Sequence, residues 1–79
     1  SLEAYEWLAK FHYKLAHEDP AHREQHLREA IKTYQSLTEV DSKNAQTYNL
    51  IGHIFTELSD LEEAIKYFQR SVNTDPNYV

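Results

Sequence analysis

A chain of 79 residues allows one small domain, and at this size only about 60% of the unfolded surface is buried on folding, so stability is expected to be modest. With 41% hydrophobic and 27% charged residues, one glycine and two prolines, the composition is that of a water-exposed helical protein, and no apolar run approaches the roughly 18 residues that would span a bilayer. Zero cysteines exclude disulfides and thiol chemistry, and a net charge of −5 disfavours nucleic-acid binding, which needs clustered Lys and Arg.

Four helices are expected in chain order. The first, about Leu2 to His17, places Leu2, Tyr5, Leu8, Ala9, Tyr13 and Ala16 on one stripe at three-and-four spacing. Trp7, Phe11 and Leu15 form a second stripe, so this helix needs neighbours on two sides. Asp19-Pro20 stops it and opens the second helix, about Pro20 to Glu39, with Asp19 as the expected cap of free amides and Pro20 at the first helical position. Asp41-Ser42-Lys43-Asn44 breaks the pattern before the third helix, Ala45 to Leu58. Ser59-Asp60-Leu61-Glu62-Glu63 supplies a turn and a capping box, and the fourth helix runs from about Leu61 to Thr74, ended by Asp75-Pro76.

The lone glycine, Gly52, falls inside the third helix. A mid-helix glycine costs about 1 kcal/mol relative to alanine, so another backbone is expected to approach there, with the small Ala64 on the facing helix.

Glu29-Ala30-Ile31-Lys32 recurs unchanged as Glu63-Ala64-Ile65-Lys66, Tyr34-Gln35 recurs as Phe68-Gln69, Leu27 as Leu61 and Asp41 as Asp75, each pair 34 residues apart. Within the second unit Tyr48, Ile51, Gly52, Phe55, Ala64, Phe68 and Pro76 stand at the positions of the pattern W-x2-L-G-x2-Y, then A-x3-F, then P, with Tyr for Trp and Ile for Leu keeping those positions large and apolar. By these residues the chain resembles the tetratricopeptide repeat family. The first unit aligns through Tyr5, Leu8, Ala9 and His12, and then spans 43 residues, Leu2 to Asn44, so that nine extra residues lie between its helices, mostly as added helical turns. His12 for Tyr and Ser42 for Pro depart from the pattern.

The resemblance implies an all-α fold of stacked antiparallel hairpins, an α-solenoid. It forms a single domain over residues 1–79, with repeats at about 2–44 and 45–78. It also implies a non-enzymatic module that docks a peptide or partner helix in a groove lined by the first helix of each unit. The groove positions fall on Glu3, Glu6, Lys10, Tyr13 and Lys14 and on Gln46, Asn49, His53, Thr56 and Glu57. Lys10, Lys14, Asn49 and His53 are the expected donors to a bound peptide, and Tyr13 an apolar wall with a polar tip. The carboxylate clamp with which some members grip chaperone tails is not matched, since Glu6, Lys10 and Leu50 stand where that clamp has Lys, Asn and Asn.

The resemblance leaves two further functions: self-association through uncapped repeat ends, giving a homo-oligomer, and an adaptor role as a fragment of a larger multidomain protein. Each repeat leaves an apolar face that a neighbour must cover, and no further helix follows Val79. His22 and His26, four apart, share a helix face, with Glu29 or His17 as conceivable third ligands; two placed ligands fall short of a zinc site, and the expectation is no metal. No Gly-rich phosphate loop, positioned nucleophile or carboxylate pair is seen, so neither catalysis nor a cofactor is expected. The start, Ser1-Leu2-Glu3-Ala4, has no basic region before an apolar stretch, which points to the cytoplasm rather than to secretion.

Overall fold

The computed structural model describes residues 1–78. Four helices follow one another: α1 Leu2–Glu18, α2 Arg23–Val40, α3 Ala45–Glu57 and α4 Leu61–Thr74, with a 3-10 turn at Pro20–His22 leading into α2. α1 packs on α2 and α3 on α4 as antiparallel hairpins, and the two hairpins stack through α2 and α3. This is the expected all-α architecture of helix-turn-helix units.

Three of the four helices start where a side chain satisfies free amides. Ser1 Oγ accepts from the Ala4 amide at 3.3 Å, Asn44 Oδ1 from Thr47 at 3.2 Å and Asp60 Oδ1 from Glu63 at 3.3 Å. The expected capping box before α4 is therefore half formed. Asp60 caps forward, while the Glu63 carboxylate pairs with Lys66 at 2.9 Å, one turn along the same helix. At the bend Ser59 adopts the left-handed conformation, φ 61°, which lets the chain reverse over three residues.

α2 departs from expectation at its start. Asp19 caps no amide there, because its carboxylate is occupied by two imidazoles, and Pro20 begins a tight 3-10 turn rather than the helix itself. The α-helix sets in only at Arg23.

The nine additional residues of the first hairpin are distributed almost evenly. α1 has 17 residues against 13 in α3, α2 has 18 against 14 in α4, and the connection is longer by one. Each helix has gained about one turn, as the pattern implied.

The core is built from Ala9, Ala16, Leu27, Ala30, Ile31, Tyr34, Leu37, Ile51, Ile54, Phe55 and Ala64. Ala9 and Gly52, the aligned small positions of the two units, are both buried. The close approach at Gly52 differs from the expected one: a Cβ there would lie 2.7 Å from ring carbons of Phe68, so a side chain rather than a backbone fills the space. Ser71, at the place of Leu37 in the first unit, is 2% exposed and donates its hydroxyl to the Ala45 carbonyl at 2.8 Å, tying the end of α4 to the start of α3. Tyr67 stacks on Phe55 and accepts from Gln35 Nε2 at 3.1 Å, and the Arg70 guanidinium lies over Tyr48 and Tyr67.

His12 holds the place that Phe55 has in the second unit, and its Nδ1 is buried without a hydrogen-bond partner. Leaving a buried polar atom unpaired costs about 1–3 kcal/mol. His12→Phe is therefore expected to stabilise the chain by about 1 kcal/mol, seen as a higher midpoint in urea with an unchanged slope.

Candidate peptide-binding cleft

α1 and α3 run along the two walls of a cleft whose floor is Tyr34 of α2. Its deeper part, about 190 Å³, is lined by Tyr13, Tyr34, Leu50, His53 and Ile54. A narrower part of about 50 Å³ continues it past Glu6, Lys10, Asn44, Gln46 and Thr47, with Tyr34 and Leu50 common to both. The stacking of the hairpins makes this cleft, because Tyr34 closes it from below only where α2 lies against α3.

Of the five residues expected to meet a ligand, Lys10, Tyr13 and His53 line the cleft. Asn49 lies outside its lining, half-buried on α3, and Lys14 is turned to Glu18 at 3.8 Å, on the exposed side of α1. Tyr34 as the floor does not follow from the sequence pattern, and Leu50, a wall, is not among the groove positions. Groove positions fall on first helices alone, and Tyr34 lies on a second helix as the repeat equivalent of Phe68.

Next to Tyr13, Glu57 ties α3 to the first hairpin. Its Oε2 accepts from the Tyr13 hydroxyl at 2.6 Å, its Oε1 lies 3.3 Å from His17 Nε2 and 3.6 Å from Arg23 Nη2, and its backbone carbonyl accepts from Arg23 at 3.3 Å. A carboxylate at the C-terminal end of a helix opposes the helix dipole, and here His17 and Arg23, which offset it, come from the added turns of the first hairpin. The added turns of that hairpin are thereby fastened to the end of α3. Burial, the hydrogen bond to Glu57 and the charge of Glu57 push the Tyr13 phenol up to about 12, with Arg23 acting the other way. Its polar tip is thus committed within the protein.

His22 and His26 meet at a carboxylate. Asp19 Oδ2 lies 2.9 Å from His22 Nδ1 and 3.2 Å from His26 Nε2, with the two rings edge to face. Neither Glu29 nor His17 joins them, and among the described residues no group of three or more His, Asp or Glu side chains is arranged to hold a metal ion. The hydrogen bond to His26 foremost, and that to His22, hold the Asp19 carboxyl below its ordinary value. For an acid with a depressed folded-state pKa, the stabilising contribution is present above the unfolded value and is lost as pH falls through the folded one. Asp19→Asn is expected to flatten the acid limb of the stability–pH curve below about pH 4, measured as urea midpoints between neutrality and pH 2.

Two stacked antiparallel hairpins, offset by a 34-residue sequence repeat and enclosing a cleft between their first helices, define a helical-repeat protein. The model of the Tetratricopeptide repeat family matches residues 45–78, the unit formed by α3 and α4. It is also similar to the Protein CTR9 homolog of Arabidopsis thaliana, 28% identical over 50 residues. The aligned stretch is 63% of this chain and 5% of that protein, so the chain spans a small part of its relative's length. No helix among the described residues is long and apolar enough to cross a membrane.

Proposed function

We propose that the cleft between α1 and α3 docks a peptide or a partner helix, and that the chain is a non-enzymatic protein-interaction module working in the cytoplasm. The observation that carries this is the 190 Å³ apolar recess over Tyr34, walled by Tyr13, Leu50, His53 and Ile54 and continued by Glu6 and Lys10. An aliphatic or aromatic side chain of the partner fills the recess, giving apolar burial. Lys10 and His53 fix its direction through hydrogen bonds. Asn49 and Lys14 sit farther out and act at the rim. Tetratricopeptide repeats generally serve protein–protein contact, which supports the reading, and the net charge of −5 speaks against a nucleic-acid partner.

Selection from a displayed random-peptide library tests it. Selected peptides are expected to share one bulky apolar residue and to lose about tenfold or more in affinity against Leu50→Glu, equivalent to about 1.4 kcal/mol, with smaller losses for Lys10→Ala and His53→Ala. Binders whose affinity is unaltered by Leu50→Glu would remove the cleft from consideration.

A second reading, self-association, is favoured by a separate observation. Leu61, Ile65 and Val72 on α4, and Leu2, Tyr5, Trp7, Leu8 and Phe11 on α1, are large apolar residues left exposed at opposite ends of the stack.

A further inference from the structure

Resting on the self-association reading, we infer that the occupant of the α4 face is α1 of a second copy, seated as α3 is seated on α2 within one chain. The internal junction is the template. Ile31 of α2 and Ile65 of α4 are the same residue at repeat-equivalent positions, yet Ile31 is 5% exposed and Ile65 is 56% exposed. Each belongs to a hairpin with its own first helix; α2 has in addition α3 stacked against it, and among the described residues α4 has no such neighbour. Ile65, Phe68 and Val72, with Gln69 and Asn73 as rim, line an open apolar trough of about 430 Å³ where α2 carries the next helix.

α1 has the matching face. In the alignment of the two units Trp7, Leu8 and Phe11 correspond to Leu50, Ile51 and Ile54 of α3. Leu50 and Ile54 stand against Tyr34 of α2 in the cleft, and Ile51 and Ile54 are only 0% and 2% exposed. Their α1 counterparts are bare: Trp7 is 65%, Leu8 39% and Phe11 41% exposed, with Trp7 and Phe11 stacked in parallel at 5.2 Å as an apolar plate two rings thick. That plate belongs over Ile65, Phe68 and Val72 of the next copy. The trough's rim, Gln69 and Asn73, is uncharged, so neither Glu3 nor Lys14 beside the plate meets a like charge there. Because the two faces differ, the contact is head-to-tail and leaves a free face at each end, so assembly continues past the dimer.

Two exposed positions test this without disturbing the core. Wild type is expected to gain mass with concentration in sedimentation velocity, with no stop at the dimer. Ile65→Glu blocks the trough and Trp7→Glu the plate; each alone is expected to remain at 9.4 kDa with unchanged helicity. Mixed in equal amounts they retain one good face each, and a species of twice that mass and no larger is expected. Trp7 is the chain's single tryptophan, and in this mixture it survives only in the Ile65→Glu partner. Its emission therefore shifts to shorter wavelength on mixing. Wild type that stays monomeric at every concentration would overturn both this geometry and the self-association reading. Wild type that associates while the mixture does not pair, or while either variant alone still dimerises, would overturn the head-to-tail contact and leave self-association standing.

Discussion

Ile51→Ala is expected to remove about 2–5 kcal/mol of stability, the largest loss from any single truncation in the second hairpin. Ile51 is fully buried on α3, the helix that packs on both α2 and α4, so the cavity opens in the one layer that both contacts share. A folded domain commonly holds about 0.05–0.15 kcal/mol per residue, so a chain of this length has little to spare. The variant is expected to melt broadly at low temperature or to lack a cooperative transition, as followed by circular dichroism. A midpoint lowered by only a degree or two would mean that α3 collapses onto the gap and that the stack is softer than its packing implies.

The second large effect concerns Gly52 and changes sign with its neighbour. Gly52→Ala sets a methyl group 2.7 Å from the Phe68 ring, and overpacking of this kind costs about 1–3 kcal/mol. The same substitution gains about 1 kcal/mol of helix propensity, so a net loss is expected in the wild-type background. With Phe68→Ala already present the obstruction is gone, and Gly52→Ala is expected to stabilise by up to about 1 kcal/mol. The four proteins of this double-mutant cycle, compared by urea denaturation, isolate the coupling. Equal losses in both backgrounds would show that the ring is not what keeps the position small.

The helices were legible in the sequence because their signals are local. Asn44 and Asp60 cap where the residue types say they should, and Asp41 and Asp75 close the second helices of both units. Gly52 announced a close approach, since a glycine inside a helix calls for a reason. What the sequence did not disclose is which partner supplies it: Phe68 and Ala64 lie one turn apart on α4, and only packing decides between a ring and a backbone. The start of α2 was misplaced for a related reason. Asp19 is a good cap by residue type, but its carboxylate is taken by His26, seven residues away, and no cap rule weighs that competition.

The cleft was readable in outline and not in depth. Counting along first helices found Lys10, Tyr13 and His53, because helical periodicity sets the direction of each side chain. It missed Tyr34, whose role depends on how far one hairpin slides along the other. The Tyr13–Glu57 hydrogen bond joins residues 44 apart and has no local signature at all. The length of the first hairpin was nonetheless a clue, since its added turns bring His17 and Arg23 to the same carboxylate.

That elongation fixes how such a hairpin can change size. Four residues advance a helix by about 400°, so inserting four in α1 and four in α2 turns the flanking residues by only about 40° and leaves each of them looking at its old neighbour. One residue added or removed would swing everything beyond it through about 100° and bring the charged side of α1 against α2. Variation in the length of this bend is thus restricted to whole coils matched on both arms, and shorter or taller versions can occupy the same slot without any change in the helices beside them.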